Sequence, residues 1–302
     1  MAIVAYGVLV YGDMKPLGLI AGEGIFPILV ARGARAAGRK VVCVGLHGCC
    51  WPELRKEVDV FEEVGLLRLG KWIRLMRQHG CDEAIIVGRV KKSQMYDRWR
   101  YFRYIPDLRT IRMWFGRLRN DKRPRAVMEA LVDELAKSGI TLVDSTQYCK
   151  DQMCTLGVLT QRQPTPAQWT DVHFGWELGR TISRLDIGQS IAVTNKDVIA
   201  VEALEGTNKM IERAGELCKS GGWTMIKVAN GPEDMRLDVP SVGTTTIEKL
   251  NQAHAGCLVL EAGKTMILEK TKTLELADRY KIAVVGYDPA RPQGTPDDAG
   301  AK

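Results

Sequence analysis

The sequence predicts an α/β protein of two domains: an N-terminal Rossmann-like parallel-sheet domain and a C-terminal mixed α+β domain. Three observations carry this. Short apolar runs alternate with helix-period segments through the first half. A break at Gln161-Arg-Gln-Pro-Thr-Pro166 interrupts that rhythm, because proline fixes φ and removes a backbone donor. Beyond the break, apolar runs come in pairs around turn residues, which is the pattern of hairpins. The length of 302 residues suits two domains at roughly 100–200 residues each. The boundaries are read as 15–148 for the first domain, 149–168 for a linker and 169–288 for the second.

In the first domain the strands are read at Leu17–Ala21, Lys40–Gly45, Glu83–Gly88 and Ile140–Val143. Each is a short apolar run of the kind a sheet covered on both faces requires. Between them lie helices at Pro27–Ala37, Leu69–His79 and Arg125–Lys137, stopped by Gly38, Gly80 and Gly139. In the second domain Ser190–Thr194 and Val198–Glu202 flank Asn195-Lys196-Asp197 as a hairpin. A helix follows at Asn208–Lys219, ended by Gly221 and Gly222, then a strand at Thr224–Val228 and a helix at Thr244–Ala255. Cys257–Glu261 and Thr265–Leu268 read as a second hairpin, and Ile282–Gly286 as the last strand. The tail from Pro289, rich in Pro, Gly and Asp, reads as disordered.

Composition narrows the function classes. A chain 45% hydrophobic and 26% charged is not a disordered one. No apolar stretch approaches the ~20 residues that cross a bilayer. The first dozen residues lack a basic n-region and a cleavage site, so no secretory signal is expected. The eight cysteines are scattered without a CxxC pair, as free thiols in a reducing cytoplasm would be. The four histidines show no i,i+4 pair and no HExxH, which argues against a histidine-built metal centre. Any metal would be held by oxygen, as Mg²⁺ is, with Mn²⁺ as the alternative. The net charge of +7 favours anionic partners: phosphates, nucleic acid or an acidic membrane face.

Four motifs carry chemistry. Gly22-Glu-Gly-Ile-Phe-Pro27 sits between the first strand and first helix. Gly22 and Gly24 there suit a phosphate cradle at a helix N-terminus, or a plain tight turn. A nicotinamide fingerprint would want glycine at Pro27 and an acid after the second strand, and neither is present. Val201-Glu202-Ala-Leu-Glu205-Gly206-Thr207-Asn208 places two carboxylates beside a helix start. Glu202 and Glu205 suit metal ligation there, or simply a favourable helix dipole. Lys227, ending a strand, leads into a loop with Glu233, Asp234, Arg236 and Asp238. Carboxylates of that loop suit Mg²⁺ and its cations suit phosphoryl oxygens, or the loop is simply a solvated acidic one. The stretch 98–119 interleaves arginines with aromatics, for single-stranded nucleic acid, an anionic membrane, or an amphipathic helix pair. No RRM, KH or zinc-knuckle pattern supports RNA. A non-catalytic nucleotide- or nucleic-acid-binding protein using 98–119 is the alternative to an enzyme.

The ordered segments LGLIAGEGIFP (17–27), GxLTxxxPT (157–165), LDIGQS (185–190), VEALEGTN (201–208), EDMRLDVPSVG (233–243) and LEAGKT (260–265) together resemble the LpxI-type UDP-2,3-diacylglucosamine diphosphatases of lipid A biosynthesis. The likeness runs from Leu17 to about Asp288. It implies two domains with the substrate held between them. The reaction it implies is Mg²⁺-dependent cleavage of UDP-2,3-diacylglucosamine to UMP and 2,3-diacylglucosamine 1-phosphate. It maps the family's catalytic aspartate to Asp238 in Arg236-Leu-Asp238-Val-Pro240. Lys227 and Arg236 are then expected at the phosphoryl oxygens, and Asp238, Asp234, Glu202 and Glu205 at the metal. Gly22, Gly24, Gln189, Gly206 and Thr207 are expected at the substrate. A cytoplasmic enzyme, peripheral on the inner membrane and without a nucleic-acid partner, is implied, and a homo-oligomer is left open. The sequence departs from the family pattern at Asn208, at Asn230-Gly-Pro-Glu233, at Glu23 and at Asn120-Asp121-Lys122.

Overall fold

The computed structural model describes residues 14–90, 105–229, 236 and 239–291. The chain divides into two compact units, one ending at Cys149 and the other starting at Lys150.

The first unit runs β1 (Leu17–Ala21), α1 (Phe26–Ala36), β2 (Val41–Leu46), β3 (Val60–Val64), α2 (Leu69–Gln78), β4 (Glu83–Val87), α3 (Leu108–Phe115), α4 (Pro124–Ala136) and β5 (Thr141–Leu142). Its sheet has the order β3-β2-β1-β4-β5, and every pair is parallel. All residues of β1 and β2 are buried, as parallel strands covered on both faces must be. Helix α1 opens with Pro27 in its first turn, where a missing N–H costs nothing. The Rossmann-like expectation is met, with one addition. Strand β3 was not expected, because its Val-Phe-Glu-Glu-Val sequence carries two acids. An edge strand tolerates them, since it is only half buried.

The second unit runs β6 (Gly157–Val158), α5 (Pro166–Arg184), β7 (Ser190–Thr194), β8 (Asp197–Val201), α6 (Thr207–Leu217), β9 (Thr224–Lys227), β10 (Ser241–Val242), α7 (Thr244–Gln252), β11 (Cys257–Glu261), β12 (Met266–Ile267), α8 (Lys270–Arg279) and β13 (Ala283–Tyr287). Its main sheet has the order β6-β13-β11-β9-β7-β8. Strands β13, β11 and β9 are parallel, while β6, β7 and β8 join antiparallel. This is the mixed sheet expected. The sheet alternates with period two between two cores. Ile191, Val193, Ile226, Cys257, Val259 and Val285 pack with Val172 and Trp176 of α5. Ala192, Met225, Leu258, Leu260 and Val284 pack with Met210 of α6, Ile247 of α7 and Ala277 of α8. Gly175 brings α5 close to the sheet, since a Cβ there would stand 2.6 Å from Ile226 Cδ1.

Two expectations change. Cys257–Glu261 and Thr265–Leu268 do not form a hairpin. Strand β11 is central, with both edges taken by β9 and β13, so β12 pairs instead with β10 in a separate parallel pair. The stretch read as a linker, 149–168, supplies β6 and the first turn of α5. The Thr-Pro that looked like a break is that helix's start: Thr165 caps it in a capping box with Gln168, and Pro166 sits in its first turn.

Candidate functional site

In the second unit, strand β9 ends with its alternation broken by a charge. Lys227 shares the parity of Met225, so it faces the α6 side of the sheet, and its side chain is only 5% exposed. A buried ammonium needs partners. Its Nζ donates to Ser190 Oγ at 3.1 Å and to Thr207 Oγ1 at 3.2 Å, and lies 3.8 Å from Glu202 Oε2. Thr207 Oγ1 in turn donates to Glu202 Oε1 at 2.7 Å. Four side chains from four elements or their ends thus form one closed group.

Each partner is placed by a local device. Ser190 is the residue opposite Lys227 in the β7–β9 ladder. Glu202 follows β8, and its N–H donates to the Ser190 carbonyl at 2.8 Å, extending the hairpin by one rung. Gly188 lets the preceding turn press on Glu202, because a Cβ there would stand 2.0 Å from the Glu202 carbonyl. Gly206 caps α6 with φ 83 and ψ 166, a region that only glycine occupies without strain. That geometry delivers Thr207 as the first residue of the helix. Gln189 is half-buried alongside, and its carbonyl accepts the Val228 N–H at 2.9 Å.

A second charged group closes the other face of the same edge. Glu261, at the end of β11, shares the parity of Val259 and faces α5. It is 3% exposed. Its Oε1 accepts from Arg180 Nη1 at 2.7 Å and lies 3.0 Å from Lys264 Nζ. Its Oε2 accepts the Ala229 N–H at 2.9 Å, and Ser183 Oγ donates to the Ala229 carbonyl at 2.9 Å. Ala229 is therefore clamped at both backbone groups as the chain leaves the sheet towards Arg236 and Asp238. Sequence reading quoted Glu261 and Lys264 within LEAGKT but gave neither a role, and it did not single out Arg180. The available signal was a carboxylate closing an otherwise wholly apolar strand.

The remaining expected residues are distributed as follows. Glu205 turns away from the cluster and pairs with Arg213 at 3.0 Å. Arg236 is half-buried. Asp234 and Asp238 lie outside the described residues. Among the described residues no three of His, Cys, Asp and Glu come together as a metal-holding group. Glu202 Oε2, however, is buried and has no hydrogen-bond partner among the described residues. That oxygen, 3.8 Å from the Lys227 ammonium, fits a single cation ligand.

In the first unit the glycine turn has a different character. A Cβ on Gly22 would stand 2.7 Å from the Arg89 carbonyl oxygen, so Gly22 serves close backbone approach. The N–H groups of Gly22 and Glu23 donate to the carbonyls of Val87 and Arg89, both at 2.8 Å. They are not left for a phosphate. Gly24 has φ 113 and open space where a Cβ would stand, just before α1. No disulfide joins any of the eight cysteines, and seven of them are buried. No helix among the described residues is long and apolar enough to cross a membrane.

Comparison with known proteins agrees with this architecture. Residues 16–152 match the LpxI N-terminal domain and residues 155–285 the LpxI C-terminal domain. The UDP-2,3-diacylglucosamine pyrophosphatase LpxI of Caulobacter vibrioides is 28% identical over 284 residues, which cover 91% of this chain and 99% of the relative. The two domain matches together span most of the chain, and it belongs to the LpxI family.

Proposed function

We propose that this LpxI-family chain hydrolyses the diphosphate of UDP-2,3-diacylglucosamine, yielding UMP and 2,3-diacylglucosamine 1-phosphate in lipid A biosynthesis. The observation that carries the reading is the buried Lys227–Glu202–Thr207–Ser190 group at the head of the segment bearing Arg236 and Asp238. The relative's activity on the same class of lipid supports it.

A diphosphate resists water because its negative charge repels a nucleophile. The cations Lys227 and Arg236 offset that charge on the phosphoryl oxygens, which counts most where water is scarce. Ser190 and Thr207 hold the Lys227 ammonium in one orientation, so little reorganisation is needed when charge moves. Gln189 and Gly206 border the group and, with its member Thr207, contact the substrate. Asp238 is the catalytic aspartate. Mg²⁺, or Mn²⁺ in its place, would be held by Glu202 with Asp234 and Asp238, while Glu205 is engaged by Arg213. When bound, the ion supplies neutralisation of the diphosphate and acidifies water. The lipid product and substrate place the enzyme as a peripheral protein on the cytoplasmic face of the inner membrane.

The test is UMP release from UDP-2,3-diacylglucosamine with Mg²⁺, Mn²⁺ and EDTA in parallel. Release that EDTA abolishes and that Asp238→Ala loses without unfolding is the expected result. Release by the folded Asp238→Ala protein would overturn the site, and none by the wild type would overturn the reaction.

A further inference from the structure

We infer that helix α3 of the first unit docks on an anionic phospholipid bilayer through Leu108, Ile111 and Phe115, with Arg112 and Arg119 on the lipid phosphates. The inference stands on this surface, not on the substrate assigned above.

Positions 108, 111, 112 and 115 fall within ~100° of helical arc, so they form one stripe. That stripe points outward. Leu108 is 73% and Phe115 69% exposed, and Ile111 is exposed beside them. The opposite face is fixed. Thr110 and Met113 are buried, and Asp107 caps two helices at once. Its Oδ1 accepts the Thr110 N–H at 2.9 Å and its Oδ2 accepts the Gly70 N–H at 2.6 Å, at the start of α2. The chain thus holds three large apolar side chains in water on a rigidly seated helix, which a soluble surface does not do without a partner.

Charge selects the partner. Arg112, in the middle of the stripe, and Arg119, in the turn after it, are exposed, and no ion pair joins either to another described residue. Guanidinium groups beside aliphatic side chains match the boundary between phosphates and acyl chains. Leu108 and Ile111 have no ring face on which a base could stack, which disfavours single-stranded nucleic acid. A two-fold contact of this face with a second copy would bring the same arginines together and desolvate like charges.

The experiment is sedimentation of the full chain with phosphatidylcholine vesicles, with and without phosphatidylglycerol. Two variants accompany the wild type: Leu108→Ser/Phe115→Ser and Arg112→Gln/Arg119→Gln, all with circular-dichroism melting to verify the fold. The wild type is expected to pellet with the anionic vesicles, and each variant to partition ~tenfold less or weaker still at an unchanged melting temperature. Failure of the wild type to pellet, or pelleting unaltered in both variants, would overturn the inference. So would a change only in self-association, or only in single-stranded RNA binding. UMP release from detergent-dispersed substrate is expected to be equal in all three proteins. Vesicle binding without UMP release from any of them would sink the enzymatic reading and leave this one standing.

Discussion

The two units each carry buried charge at one edge of a sheet, but at opposite ends. In the first unit it lies at the amino ends of the strands. Arg39, mostly buried, donates to the Lys15 carbonyl at 2.8 Å, to Glu83 at 2.5 Å and to the Tyr148 hydroxyl at 2.9 Å. In the second unit it lies at the carboxyl ends of the parallel strands, as Lys227 and Glu261. In open α/β sheets ligands bind outside the carboxyl ends. The amino-edge group joins the segment before β1, the start of β4 and Tyr148 through Arg39. In the carboxyl-edge group, Glu202 Oε2 has no hydrogen-bond partner among the described residues, and the chain leaves β9 there for the sequence that carries Asp234 and Asp238. Burial of charge alone does not mark a site; the edge on which it occurs does.

The sharpest way to break this contrast is at Lys227. Lys227→Met should cut turnover by about 100-fold or more. It should also destabilise by about 3–5 kcal/mol, because Glu202 is left buried without its cation. Adding Glu202→Gln should recover part of that stability and none of the turnover, as a melting and rate comparison of the single and double variants would show. Next in size is Glu261→Gln, which weakens the hold on Ala229. A tenfold to hundredfold fall in kcat, on the order seen for misplaced groups, is expected with KM little changed. A fall confined to stability would make Glu261 a framework residue like Arg39.

Arg39→Met is the control from the other edge. It should cost about 1–3 kcal/mol of stability through lost charge-assisted hydrogen bonds, with kcat unaltered. A loss of turnover there would erase the distinction between the edges. Gly206→Ala should cost a similar amount of stability. The space for a methyl is open, so the cost is conformational, about 1–3 kcal/mol at φ 83.

The smallest effect concerns the thiols. Burial pushes Cys154 and Cys257 up to about 12 and Cys81 up to about 11, against an ordinary 9.0. The unfolded chain therefore releases these protons above pH 9 while the folded chain keeps them. Stability from this source is intact below pH 9 and declines as pH rises towards about 12. At pH 8 the native thiols should react with iodoacetamide far more slowly than after denaturation, which mass mapping of labelled peptides would show.

Much of this was legible in the chain. The parallel strands of the first unit announce themselves as apolar runs closed by glycines, and Lys227 stands out as a charge ending such a run. Helix α5 was not legible, because two positions of its buried stripe are Gly175 and Gly179, which pack by closeness rather than by apolar area. Strand β12 reads as the return arm of a hairpin by local pattern. Its pairing is decided by β9 and β13 already occupying β11, a long-range fact that no local window holds. The Glu261 clamp was hidden for a related reason, since its partners Arg180 and Ala229 are far away in sequence. Gly22 was legible as a glycine with a duty, but the duty is backbone contact with Gly88 and Arg89.

The measurement closest to the central claim is the initial rate of UMP release from UDP-2,3-diacylglucosamine by three folded proteins: wild type, Lys227→Met and Arg39→Met. The account predicts Mg²⁺-dependent release by the wild type and by Arg39→Met, and its near-complete loss in Lys227→Met. Equal rates for wild type and Lys227→Met would contradict it.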